Sequence, residues 1–153
     1  QYELAQLYKF GRPPARQDLA AARKWFGKSA EQGNTLAQYE LGKAYAAGQG
    51  GDKSCHDAER WLHKAADRAH VDAMLQLGWI YQRGCDGDKN PGEAARWLKQ
   101  AAAKGSRDAQ FSLGVLYFNG DGIGKDPKEA RKWLEAAAAQ GHPSTRLYLD
   151  RLQ

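Results

Sequence analysis

Four tryptophans, Trp25, Trp61, Trp97 and Trp133, each follow the last by 36 residues. Tyr45, Tyr81 and Tyr117 recur at the same interval, as do Leu41, Leu77 and Leu113, and the glycine sets Gly42, Gly78, Gly114 and Gly48, Gly84, Gly120. One period shared by so many columns describes an array of a single repeated unit, in which each unit buries its apolar face mainly against its neighbours.

Each unit holds two helical patterns. The second half of repeat two reads Ala58, Trp61, Leu62, Ala65, Ala66, the i, i+3, i+4, i+7, i+8 stripe of one buried helix face. The same columns hold Ala94, Trp97, Leu98, Ala101, Ala102 in repeat three and Ala130, Trp133, Leu134, Ala137, Ala138 in repeat four. Repeat one, with Ala22, Trp25, Phe26, Ser29, Ala30, turns only one column polar. The first half of each unit reads Ala37, Leu41, Ala44, Tyr45, then Ala73, Leu77, Ile80, Tyr81, then Ala109, Leu113, Leu116, Tyr117, again at helical spacing. We term the first-half element helix A and the second-half element helix B.

The helix ends repeat too. Asp18, Ser54, Asn90 and Asp126 stand seven residues before each tryptophan, and each can accept an orphan backbone N–H at a helix start. Pro91 and Pro127 follow at the first helical position, and Glu93 and Glu129 complete capping boxes. Gly33, Gly105 and Gly141 stand where a helix leaves through a left-handed residue, with Ala69 the exception. In the Gly42, Gly78 and Gly114 column the missing side chain lets helix B approach helix A.

Repeat four, written A-x-x-x-L-G-x-x-Y-x-x-G, a short loop, then D-P-x-E-A-x-x-W-L-x-x-A-A-x-x-G, resembles the Sel-one-like repeat, which is itself similar to tetratricopeptide arrays with a slightly longer unit. The resemblance implies an all-α fold, a right-handed α/α superhelix of helix-turn-helix repeats. The columns divide a single domain over 1–153 into repeats at 1–33, 34–69, 70–105 and 106–141 and a capping helix at 142–153, nine helices in all. The alanine that opens helix A elsewhere would fall just ahead of Gln1, which leaves upstream trimming or cleavage of a signal peptide open. Asp150 in the glycine column, with Arg146, Tyr148 and Arg151 beside it, reads as a polar cap with no helix B to follow.

A formal net charge of +5 raises nucleic acid as a partner. The basic residues, among them Arg23, Lys24, Lys28, Arg60, Lys64, Arg96, Lys99, Arg131 and Lys132, instead fall mainly on the outward faces of the B helices, with acids interspersed, as a solvated surface does. No apolar run approaches the roughly 18–20 residues of a membrane helix, so a soluble protein without membrane insertion is expected. Cys55 and Cys85 fall in the loops between helices A and B of adjacent repeats. Unpaired thiols are the favoured reading, because adjacent units usually stack beyond the roughly 7 Å Cα limit of a disulfide. A bridge, the alternative, would close a loop of about 30 residues and stabilise by roughly 3–4 kcal/mol in the chain-entropy model. Cysteine-rich members of the family place cysteines seven apart across a helix turn, a spacing lacking here.

Catalytic and metal readings find little support, and no cofactor is expected. His56, His63 and His70 recur every seven residues, but such residues are about 10.5 Å apart along a helix, too far for one zinc, so they read as solvent-facing and turn histidines. Asp86, Asp88 and Asn90 mimic the opening of a calcium loop, yet Pro91 replaces the required glycine and Trp97 the bidentate glutamate. Gly120, Gly122 and Gly124 follow a helix rather than a strand and enclose Asp121, which reads as a turn and not a phosphate loop. Neither Ser-x-x-Lys nor His-Glu-x-x-His occurs.

The tetratricopeptide analogy places helix A positions not used for internal packing on a concave face. Column offsets give Tyr2, Gln6 and Lys9; Tyr39, Lys43, Ala46 and Ala47; Leu75, Trp79, Gln82 and Arg83; and Phe111, Val115, Phe118 and Asn119. Trp79 takes a column filled elsewhere by Gln6, Lys43 and Val115, and Phe118 one filled by Lys9, Ala46 and Gln82, so the repeat demands neither. Unrequired aromatics point to recognition; the alternative is that both lean over a neighbouring helix. The expected function is a non-catalytic scaffold that binds a protein or acidic-hydrophobic peptide in its groove. Tyr39, Trp79, Phe111 and Phe118 would anchor it, with Leu75 and Val115 beside them, while Lys43, Gln82, Arg83 and Asn119 would hold carbonyls or acids. Self-assembly into a homo-oligomer is the second reading, and an enzyme or metal protein the third. The family resemblance implies a bacterial protein acting in signalling, envelope assembly, secretion or host contact, in cytoplasm, periplasm or medium.

Overall fold

The computed structural model describes residues 1–12, 16–85 and 87–152. Among them nine helices follow in order: α1 Tyr2–Phe10, α2 Leu19–Glu31, α3 Thr35–Ala47, α4 Cys55–Ala66, α5 Val71–Arg83, α6 Pro91–Ala103, α7 Arg107–Asn119, α8 Pro127–Ala139 and α9 Thr145–Asp150. Helices A and B alternate as the columns require, and the fold is an all-α solenoid of helix-turn-helix repeats. Two compact units can be described separately, Gln1–Ala73 and Met74–Gln153.

All four expected N-caps of helix B form. The side chains of Asp18, Ser54, Asn90 and Asp126 accept from the amides of Ala21, Asp57, Glu93 and Glu129 at 2.9, 3.2, 3.1 and 3.1 Å. Helix A has caps of its own, since Asn34 and Ser106 accept from Ala37 and Ala109, and His70 Nδ1 accepts from Ala73 at 3.2 Å. At the B-helix exits Gly33, Gly105 and Gly141 take left-handed φ of 86°, 88° and 77°. Ala69 adopts φ 62° in the same column, a conformation in which its Cβ crowds the following carbonyl.

In the N-terminal unit Ala5, Ala22, Phe26, Ala30, Ala37, Leu41 and Trp61 form one buried cluster, with Tyr2, Tyr8, Trp25 and Tyr45 packed at its margin. In the C-terminal unit Leu77, Leu98, Leu113, Leu116 and Leu134 are the largest fully enclosed side chains. The glycine columns explain how A and B helices meet within a unit. A Cβ built on Gly42, Gly78 or Gly114 would lie 2.6, 2.5 or 2.7 Å from Cγ of Leu62, Leu98 or Leu134.

The periodic tryptophans pack as expected: Trp61 and Trp97 are buried, and Trp25 and Trp133 half-buried. Each carries a cation from its own helix, with Lys28, Lys64, Arg96 and Lys132 at 4.3, 4.4, 4.9 and 5.2 Å from the ring centres. Such long side chains cover the ring while keeping their charge in water.

One expectation needs correction. Neither cysteine is a free thiol: Cys55 and Cys85 are both disulfide-bonded. Spacing between packed helices was the wrong yardstick, because only Cys55, the first residue of α4, belongs to a helix, while Cys85 lies in a loop whose backbone pairs with Asp88. Of the three histidines read as solvent-facing or in turns, His56 is exposed and His70 stands in the turn before α5, which it caps, half-buried and stacked on Tyr39. Of the calcium-like triplet, Asp86 lies outside the described residues and Asn90 caps α6. No cluster of three metal-ligating side chains occurs among the described residues.

Candidate peptide-binding face

In the N-terminal unit the candidate positions are occupied by internal contacts. Tyr39 stacks on His70, with ring centres 4.6 Å apart and planes inclined by 28°. Lys43 Nζ lies 4.6 Å from the Tyr39 ring and 3.5 Å from Glu40, whose other oxygen takes Lys9 at 2.6 Å. Burial, then Asp72 and Glu40, push the Tyr39 hydroxyl up to about 12, so it stays a protonated donor throughout the physiological range.

At the candidate positions the C-terminal unit has the aromatics Trp79, Phe111 and Phe118, against Tyr2 and Tyr39 in the N-terminal unit. Half-buried Trp79 donates from Nε1 to Ser112 Oγ of α7 at 3.3 Å, while the exposed Arg83 sits 5.6 Å from its ring centre. One edge of this tryptophan therefore leans on the neighbouring helix and the rest of its ring stays partly open. Phe118 meets the Tyr148 ring edge to face at 5.4 Å, with Lys125 5.9 Å from its centre. Phe111 stacks on His142 at 4.0 Å and touches Tyr148 at 5.6 Å. Val115 and Gln82 are half-buried, and Leu75 is buried with 6% of its surface exposed. Asn119 bonds Asp121 at 3.2 Å, in the loop that closes α7.

Column reasoning missed Tyr148 and Lys125. Tyr148 stands in the column of Glu40, Gln76 and Ser112, which is not one of the inner-face columns, so extending the offsets into α9 gives Leu147 and Arg151 instead; Lys125 lies in a loop that no helical offset reaches. The stacking of Tyr39 on His70 and of Phe111 on His142 is one contact repeated 72 residues later, each ring meeting the histidine that opens the next repeat.

His142 has its pKa lowered, first by burial; Arg107 adds to the shift and Asp108, 4.0 Å away, opposes it. The fold thus favours neutral imidazole. A folded-state pKa below the unfolded value gives stability that is present above about pH 6.5 and lost as the pH falls through the folded value. Urea midpoints are expected to fall further between pH 7.5 and 5.5 in the wild type than in His142→Gln, and equal falls would contradict this reading.

A family model for the Sel1 repeat matches residues 1–34, 35–70, 71–106 and 107–142, each within a residue of the boundaries read from the columns. A protective antigen of uropathogenic Escherichia coli with an SLR fold is 30% identical, with a TM-score of 0.93 over 99% of this chain and 32% of its own. A Sel1 repeat protein from Oxalobacter formigenes is 32% identical, with a TM-score of 0.87 over 98% of this chain and 59% of its own. Cysteine rich protein B of Helicobacter pylori, 22% identical with a TM-score of 0.65 over 85% of this chain and 93% of its own, shares the fold. This chain thus spans a third to three-fifths of the first two relatives. No curated protein matches it. Four consecutive repeat matches covering residues 1–142 place the chain in the Sel1 repeat family, whose members are generally non-catalytic scaffolds for protein–protein interaction.

Proposed function

We propose that the C-terminal unit binds an acidic-hydrophobic segment of a partner protein on the face built from α5, α7 and α9. One observation carries the reading: Trp79 and Phe118 are aromatic where the repeat does not require it, and each has a cation against it, Arg83 and Lys125, with no carboxylate in ion-pair range among the described residues. By contrast Arg60, over Trp61, pairs with Asp57, and Arg96, over Trp97, pairs with Glu93. Unpaired cations beside part-open rings suit a ligand that supplies both apolar contact and negative charge. Tyr148 meets both Phe118 and Phe111, and Phe111 is in turn stacked on His142.

Peptides selected by the protein from a random-sequence display library are expected to be rich in Asp or Glu beside Leu, Phe or Trp. Trp79→Ala with Phe118→Ala should weaken the selected peptides about 100-fold or more, since buried aromatic anchors each contribute on the order of 2 kcal/mol. Added salt should weaken them further. Unchanged affinity in the double variant with helicity retained, or selection of basic peptides, would refute the reading.

A further inference from the structure

Two departures from the repeat and a surface hollow coincide on α2. At its third position, where the later B helices have Asp57, Glu93 and Glu129, repeat one has Ala21. Those acids pair with a cation one turn on: Asp57 with Arg60 at 3.1 Å, Glu93 with Arg96 at 3.2 Å, Glu129 with Lys132 at 3.0 Å. Lys24, in the column of Arg60, Arg96 and Lys132, thereby lacks that partner, and Arg23 and Lys28 beside it have no carboxylate in ion-pair range among the described residues either. Next, Gly27 takes the column of His63, Lys99 and Glu135. A Cβ there would meet nothing within 4 Å, so no packing contact asks for glycine in mid-helix, where it weakens the helix. Finally, Arg23, Lys24, Gly27 and Lys28 border a wide, open surface hollow of about 430 Å³, with Leu41 and Tyr45 of α3 at its base and Glu31 as its one acid.

Arg23 is already ordered. Its guanidinium lies 3.8 Å from the Tyr45 ring centre and donates from Nη1 to the Asp52 carbonyl at 2.9 Å, and a Cβ on Gly51 would come within 2.7 Å of that nitrogen. The loop after α3 is thus shaped around the arginine, which keeps further N–H donors for a ligand.

We infer that this cavity binds a phosphate group carried on a small organic body. Three cations against Glu31 leave a net charge of two, which matches a phosphate dianion. Arginine offers the planar fork that phosphate oxygens accept, and the two lysines add point charges. Half-buried Tyr45 supplies apolar surface for the remainder, in a volume within the usual small-ligand range.

The test is titration with glycerol 3-phosphate at fixed ionic strength, followed by the amide NMR signals of Gly27, Tyr45 and Gly50, alongside co-sedimentation with vesicles containing phosphatidic acid. Saturable binding is expected, at least tenfold weaker in Ala21→Glu and in Gly27→Lys. Gly27→Lys is the decisive variant, because it adds a cation while filling the cavity. A merely basic surface would bind phosphate more tightly after that change, whereas a shaped site binds it less. Response to the soluble compound identifies a free phosphorylated molecule, and response to vesicles a lipid headgroup. The inference is overturned if neither probe binds in a Gly27-dependent way, or if succinate displaces the bound phosphate equally well.

Discussion

Leu98→Ala is expected to lower the unfolding free energy by about 3–4 kcal/mol, the range for a fully enclosed leucine whose site cannot collapse. Leu98 is 0% exposed and its Cγ faces Gly78 so closely that a Cβ on the glycine would lie 2.5 Å away, with Cδ2 at 2.7 Å. Gly78→Ala alone should cost about 1–2 kcal/mol, because overpacking of roughly 1–3 kcal/mol outweighs the helix propensity regained. Combining the two places the new methyl in the space left by the leucine. The double variant should therefore be less damaged than the sum of the singles, with a coupling of about 1 kcal/mol or more. Urea unfolding of the four proteins measures this, and strict additivity would show that the two positions do not share one packing space.

Reduction is the second large perturbation. In a chain whose only cysteines are Cys55 and Cys85, both disulfide-bonded, the bond closes a loop of about 30 residues. The chain-entropy model then assigns it roughly 3–4 kcal/mol, acting through the unfolded chain. Dithiothreitol is expected to lower the melting temperature by about 10 °C at this size. Cys55→Ala with Cys85→Ala should melt near the reduced wild type and be indifferent to dithiothreitol. A wild type whose melting does not respond to reduction would remove the stabilising role of the bond. Cys55 is buried at the head of α4, so the alanine variant also loses a little apolar contact and should fall slightly below the reduced protein.

Particular residues show how far the chain was legible. The Asp18, Ser54, Asn90 and Asp126 caps formed as read, because a cap is a contact between residues three apart and needs no distant partner. The Gly78 column announced a close helix approach, and Leu98 is the side chain that uses it. At the candidate face the reading was less complete. Column offsets selected Trp79, Phe111 and Phe118 but could not say which edges are occupied: Ser112 takes the Trp79 N–H, and His142 covers a face of Phe111. The basic residues were read as interspersed with acids; α4, α6 and α8 each pair the acid at their third position with a cation one turn on, whereas α2 has Ala21 there.

The amino-acid order was enough for the number of repeats, the type and ends of each helix and the family, because all of these follow from periodicity and from interactions within a few residues of chain. Which inner aromatics remain open, which histidines are covered and that the thiols are joined came from the packed fold. Tyr39 and His70, or Phe111 and His142, are 31 residues apart, and side chains so separated meet only when one repeat docks on the next. Docking geometry depends on the summed shape of many side chains, which no single column records.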